Sequence, residues 1–226
     1  DLNSSISQDR KSTKISATLK DMSSNEFKEF NNEVLGYLRQ NNLENMISEP
    51  SSFRVIFTYM VEAIVNSLLY GLFIGILLIT LIIGLFFRSY LLPALSIFPN
   101  ILPIGMGFGL WGLFVGDVGF MVAVGMGSTL GVIIDFTVHF LSKYELARKE
   151  FKKSVEESVI YSFETVGFAL IIMTVVLALG FSVLNLVTFI PIQDFAKFSV
   201  ICFIGGLIIN FLFLPNLLMK FDKRKF

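Results

Sequence analysis

Cysteine, histidine and tryptophan each occur once among the 226 residues, and 18 basic side chains are cancelled by 18 acidic ones. The single cysteine, Cys202, allows no intrachain disulfide. One histidine and no Cys/His cluster make no zinc site, and neither a metal nor a cofactor is expected. No Gly-x-Gly-x-x-Gly follows a strand pattern and no Gly-x-x-x-x-Gly-Lys-[Ser/Thr] occurs, so nothing points to a bound nucleotide or to an enzyme. A net charge of zero provides no global field for nucleic acid.

What the chain has in abundance is apolar surface. Hydrophobic residues make up 54% and aromatic residues 14% of the sequence, and the mean hydropathy is +0.72. That balance suits a bilayer better than water. The charges are segregated: residues 1 to 62 carry an ordinary soluble mixture, and beyond Glu62 the chain changes character. Five stretches follow, near 67 to 87, 91 to 115, 118 to 142, 165 to 184 and 198 to 219. Each is long enough to cross a hydrocarbon core, which takes roughly 20 helical residues. Only the third contains a formal charge, Asp135. The expected fold is an all-α membrane protein of five transmembrane helices.

Orientation follows from the short loops, because Lys and Arg collect on the cytoplasmic side. Arg88 follows the first span, Lys143, Arg148, Lys149, Lys152 and Lys153 follow the third, and Lys220, Lys223, Arg224 and Lys225 form the tail. The alternate loops carry Asp117 with no basic residue, and Asp194 with Lys197 at its edge. Residues 1 to 60 are therefore expected outside the cytoplasm and the C-terminus inside. The chain opens on Asp1 with no basic-then-apolar leader, and sequence upstream of it is expected.

Residues 1 to 52 read as the end of an extracytoplasmic domain, and residues 53 to 226 as the transmembrane domain. Ile15, Ala17 and Leu19 alternate as in a strand. Ser23 and Glu26 resemble a capping box opening a helix with apolar positions Phe27, Phe30, Val34, Tyr37 and Leu38. One strand and one helix cannot enclose a core. They read as the trailing piece of a larger α+β domain or as a small appendage packed on the membrane helices. Pro50 and its serine neighbours mark a linker, and residues 53 to 66 form an amphipathic lead-in continuous with the first span.

Pro93, Pro99 and Pro103 crowd the second span, ahead of Gly105, Gly107, Gly109 and Gly112. A helix so interrupted is expected to be buried among neighbours or to border a hydrated cavity, since lipid cannot pair its freed backbone groups. Residues 143 to 160 mix Lys and Glu with Leu146, Phe151, Val155 and Val159 at helical spacing. They are expected to form an amphipathic helix on the cytoplasmic face, its basic residues favouring anionic lipid. Glu164 falls where the fourth span begins and suits a helix N-terminus.

The third span concentrates the functional signals. Gly127 and Gly131 lie one turn apart on one face, a small-xxx-small pattern that lets another helix approach closely. Asp135 lies one turn beyond Gly131, and His139 one turn beyond Asp135. An Asp near the centre of a span costs roughly 2.5–3.5 kcal/mol on insertion scales and typically marks an ion or proton pathway. Asp135 is therefore the candidate proton carrier. His139, nearer the cytoplasmic end, is either a relay partner or a hydrated cap of the face.

Residues 131 to 144, GVIIDFTVHFLSKY, resemble the Gly-x-x-x-Asp-x-Thr-x-His-Phe-Leu signature of the resistance-nodulation-division (RND) superfamily, in its exporter and MMPL-like branch. Pro99, Asn100 and Pro103 resemble that branch's Pro-Asn-x-x-Pro. Thr174, Gly180 and Phe181 resemble its Thr followed by Gly-Phe, and Leu214 with Pro215 its closing Leu-Pro. The resemblance covers about residues 65 to 222. It implies one repeat of a two-repeat transporter, lacking its first helix, with a short extracytoplasmic α+β remnant of a porter domain. It further implies proton-driven export of lipids or other hydrophobic or amphiphilic molecules across a bacterial cytoplasmic (inner) membrane, with Asp135 as carrier and Thr174 as a hydroxyl partner. A mid-helix threonine that bonds its own backbone is the competing account of Thr174. The expected partners are membrane lipid, protons, a hydrophobic substrate and the missing N-terminal repeat or a second copy. Where the family often has Tyr or a second Asp after its Asp, this chain has Phe136, which neither donates nor carries a proton. Two other readings share the helix topology: a lipid- or sterol-sensing or partner-binding membrane domain of the Patched kind, and a translocation accessory of the SecD and SecF type.

Overall fold

The computed structural model describes residues 11–13, 15–20, 22, 24–41, 43, 52–116 and 118–224. The chain divides into two compact units, Asp1–Met60 and Val61–Phe226. Ser23 and Pro50, expected as a helix cap and a linker, lie outside the described residues.

In the first unit, α1 (Ser24–Gln40) is the helix expected from the spacing of Phe27, Phe30, Val34, Tyr37 and Leu38. Phe27 is buried, and the Arg54 guanidinium stacks 5.6 Å from its ring centroid while donating to the Met22 carbonyl. Tyr37, by contrast, remains 64% exposed. The strand expected at Ile15, Ala17 and Leu19 does not form: residues 15–20 have no regular structure and are exposed. Alternation only decides which side of a strand is apolar. The strand itself requires a partner ladder, and no strand exists among the described residues to supply one. Among the described residues this segment is one helix and irregular chain, with Thr13 alone in a β-bridge.

Among the described residues, five helices are long and apolar enough to cross a membrane: Phe53–Phe87, Leu91–Phe114, Phe120–Lys149, Val155–Leu186 and Ile190–Phe221. They correspond one to one with the five expected spans. The first is α2, a single 35-residue helix whose first turns are the expected lead-in. It stops at Arg88, which adopts the left-handed conformation (φ 48°), while the Ser89 N–H reaches back to the Gly84 carbonyl at 3.3 Å, a Schellman-type stop.

The second span, α3 (Leu91–Phe114), is continuous through Pro99 and Pro103 rather than broken. Pro93, Pro99 and Pro103 are all buried. The interruption expected from the prolines is thus absorbed by packing. α3 lies against α7 (Ile190–Phe221), and the Cys202 thiol sits 3.9 Å from the Pro103 carbonyl. The third span is α4 (Phe120–Lys149).

The single helix expected over residues 143 to 160 is instead two helix ends and a link. Residues 143 to 149 are the last turns of α4, and α5 begins at Val155. Between them Lys152 turns left-handed (φ 49°). Ser154 then caps α5 (Val155–Ser162) reciprocally. Its Oγ accepts from the Glu157 N–H at 3.2 Å, and Glu157 Oε2 accepts from the Ser154 N–H at 2.8 Å. From there the chain stays helical to Leu186, through a π-helical turn (Phe163–Gly167), α6 (Phe168–Val183) and a short 3-10 turn (Leu184–Leu186). Glu164 therefore lies inside the π turn, not at a helix N-terminus.

Helix α7 is the hub of the bundle and packs on α3, α4 and α6. Lipid tails are as apolar as Leu, so close fit rather than the hydrophobic effect must hold spans together. Small residues provide that fit. A Cβ at Gly107 would lie 2.6 Å from Cys202 Sγ, one at Gly125 3.1 Å from the Phe198 ring, and one at Gly206 3.0 Å from Ile133. One apolar cluster, around Trp111, Met126, Ile133 and Phe198, fills the bundle at the end where α7 begins. Another, around Leu92, Phe140, Tyr144 and Leu218, fills the opposite end, which gathers the basic residues.

Candidate functional site

Because α4 advances 100° per residue, its side chains sort into an inward and an outward set. Ile133, Phe136, Thr137, Phe140, Leu141 and Tyr144 are buried against the rest of the bundle. Gly127, Ser128, Gly131, Asp135 and His139 are exposed along the other side. The expected shared face is therefore formed. Among the described residues nothing closes over it: a Cβ on Gly131 would meet nothing within 4 Å, and one on Gly127 would meet only Leu68 at 3.9 Å. Among the described residues, Asp135 and His139 have no hydrogen-bond or ion-pair partner, and the two are not bonded to each other.

Thr174 stands elsewhere. It is buried in α6 and its hydroxyl donates to the Leu170 carbonyl one turn back at 2.8 Å. No hydrogen bond joins it to Asp135. Phe136, adjacent to the carboxylate in sequence, points inward: it is fully buried with Val166 and Leu170 and lies under Gly206. Its role in this chain is to fill the α4–α6–α7 junction.

Two polar constellations are not apparent from the sequence alone. In the first, Thr137 Oγ1 lies 2.6 Å from Asn100 Oδ1 on α3 and 2.8 Å from Asn210 Oδ1 on α7, and all three residues are buried. A hydroxyl has one proton and cannot donate to both. Asn210 Nδ2 already donates to the Gly206 carbonyl at 3.0 Å, which fixes that amide's orientation. The consistent assignment reverses the Asn100 amide, so that Asn100 donates to Thr137 and Thr137 donates to Asn210. The visible signal was Asn210, a polar side chain in an otherwise apolar run.

The second constellation gathers charge at the basic end. Arg224 forks onto Glu145, with Nη1 to Oε1 at 3.0 Å and Nη2 to Oε2 at 2.9 Å, and its Nη2 also reaches Asp222 at 2.8 Å. The Tyr144 hydroxyl donates to Asp222 at 2.6 Å. Lys149 pairs with Glu145 at 2.9 Å and donates to the Phe87 carbonyl at 2.9 Å. Arg148 donates to the Lys153 carbonyl at 2.6 Å and to the carbonyl of Arg224. Burial alone would push the Asp222 carboxyl up, but the hydrogen bonds from Arg224 and Tyr144 outweigh it and hold the group down at about 2. Burial works against the charge of Arg224 too, and its two carboxylate partners reverse that and raise it. The ends of α2 and α4, the link to α5 and the chain after α7 are thereby tied at one point. In sequence Arg148, Lys149 and Arg224 count only toward the basic bias that sets orientation.

A mostly apolar hollow of about 410 Å³ opens at the other end of the bundle, between Trp111, Phe114, Asn185 and Ile201. It lies away from both constellations.

No curated protein matches the chain. The model of the MMPL family matches residues 2–219, nearly the whole sequence and all five spans. With its five apolar helices and the glycine-lined carboxylate of α4, this multi-pass membrane protein belongs to the MMPL family.

Proposed function

We propose that the chain is part of an RND-type exporter of lipids or other hydrophobic or amphiphilic molecules, driven by the proton-motive force, with Asp135 as its intramembrane proton carrier. The observation that carries this reading is the open face of α4, on which a carboxylate one turn from a histidine is left with no partner among the described residues. A charge there cannot rest against lipid. A second repeat, encoded on the same polypeptide or supplied by another copy, would cover the glycine-lined face and enclose the carboxylate in a site that hydrates in one conformation and dries in another. Drying favours the protonated acid and wetting favours release, which is the behaviour a carrier needs. One proton moving down the potential supplies about 2.3 kcal/mol per 100 mV, enough to bias such a cycle.

In this reading the basic end faces the bacterial cytoplasm, the first unit lies outside it, and His139 stands on the cytoplasmic side of Asp135. The test is Asp135→Asn in the full-length protein, assayed by substrate efflux under an imposed proton gradient. Efflux should vanish while the protein remains folded in the membrane; sustained efflux would remove the reading.

A further inference from the structure

We infer that Thr137, with Asn100 and Asn210, is a positioning device for Asp135: a polar lock across three helices that sets the rotation of α4 about its axis. The inference rests on the proposed role of Asp135 and adds the question of what aims the carboxylate. Thr137 follows Asp135 by two residues, so it sits about 200° around the helix. The carboxylate looks out of the bundle and the hydroxyl looks into it, toward α3 on one side and α7 on the other.

Everything else that α4 presents inward at this level is apolar, namely Ile133, Ile134 and Phe136. Apolar packing tolerates a helix turning by a fraction of its circumference, because one hydrocarbon contact replaces another. A hydrogen bond does not tolerate it, since its strength falls steeply with angle and length. In this setting a lost partner is not replaced by water. The lock is also asymmetric. Asn210 is held by the Gly206 carbonyl, whereas Thr137 has a second acceptor in its own Ile133 carbonyl at 3.4 Å, to which it can retreat when the inter-helix bonds part. It can therefore open without stranding the hydroxyl, as a group must if α4 is to turn during a cycle.

Turning α4 either way carries Asp135 toward its flanking spans. Residues 63 to 87, α3, α6 and residues 198 to 219 of α7 hold no Asp, Glu, Lys, Arg or His, their only titratable groups being Tyr70 and Cys202. His139 lies one turn away on α4 itself; of the other elements packed on α4, the π turn carries Glu164, and α5 carries Glu156, Glu157 and Tyr161. Release of the lock therefore moves the carboxylate into drier surroundings and favours its protonated form.

The experiment compares Thr137→Val, Thr137→Ser and Asn210→Leu in the intact transporter in native membranes. It follows efflux and the pH at which a hydrophobic carbodiimide, which couples to protonated carboxyls, half-modifies Asp135 as read by mass spectrometry. Thr137→Val is expected to lose efflux roughly three- to tenfold, the scale of one intramembrane hydrogen bond. It should also shift half-modification upward by about half a pH unit or more. Thr137→Ser should restore both, since it keeps the hydroxyl. Asn210→Leu breaks the same bond from its other end without leaving a void, and should repeat the upward shift even if the valine variant fails to fold. A half-modification pH unchanged in the folded variants, or a serine variant as impaired as the valine one, would overturn the inference. Asp135→Asn runs alongside: efflux that survives it refutes the carrier reading, whereas efflux lost there with no shift in the Thr137 and Asn210 variants refutes only the lock.

Discussion

Helix α4 carries two groups of ionisable residues, and they are treated in opposite ways. Toward its basic end, Tyr144, Glu145 and Arg148 are buried, and each has partners from other segments. Ten residues earlier, Asp135 is exposed with no partner of the described chain, as is His139. Paired charge fixes a structure, because separating the partners strands one of them. Unpaired charge on a span is costly and is retained where it has work to do or a partner to meet. The same helix is thus anchored at one end and left chemically open in the middle.

The largest effect should come from neutralising the open group. Asp135→Asn is expected to reduce proton-driven efflux by at least about 100-fold, as loss of a carrier rather than of a helper demands, with the melting temperature of the purified protein unchanged. The mirror experiment is Glu145→Gln. It leaves Arg224 and Lys149 without their shared carboxylate and should lower stability by about 2–3 kcal/mol in a detergent unfolding titration, with efflux falling only as folded protein is lost. If both variants change stability alike, the contrast between the two ends of α4 collapses.

One substitution placed on each face sharpens the comparison. Gly206→Ala drives a methyl to 3.0 Å from Ile133 and should destabilise the bundle by about 1–2 kcal/mol. Gly131→Ala meets nothing among the described residues and should leave the stability of this bundle unchanged, and weaker co-purification of the proposed second repeat would be the mark of a partner on that face. The smallest effect concerns acid. The Asp222 carboxyl is held at about 2 when folded against an ordinary 3.8. Its contribution to stability is therefore complete above about pH 4 and fades as the pH falls from there toward 2. Melting temperatures across that window should decline, and Asp222→Asn should flatten the decline.

Much of this was legible in the residues. Span number and approximate position follow from runs of apolar side chains, since in a bilayer length and hydropathy leave few alternatives. The shared face of Gly127, Gly131, Asp135 and His139 needs only the helical repeat. What could not be read depends on distant segments meeting. The prolines of α3 announce a break that α4 and α7 pack away. Thr137 finds partners 37 residues before it and 73 after it, and Arg224 finds Glu145 79 residues back. Ile15, Ala17 and Leu19 misled for the complementary reason: a local pattern stood in for a partner strand that the described residues do not contain. Thr174 offered two accounts of one hydroxyl, and in the folded chain it donates to its own helix.

The chain's one cysteine lies beneath Gly107 with its thiol enclosed between α3 and α7. A maleimide applied from either side of the membrane would find no exposed thiol in these spans. Residues 1 to 226 therefore add no reactive thiol to the background. A cysteine introduced at Ser128 or Gly131 would report, by its reactivity alone, whether the open face of α4 is wet, greasy or closed off by a neighbour at each stage of a transport cycle.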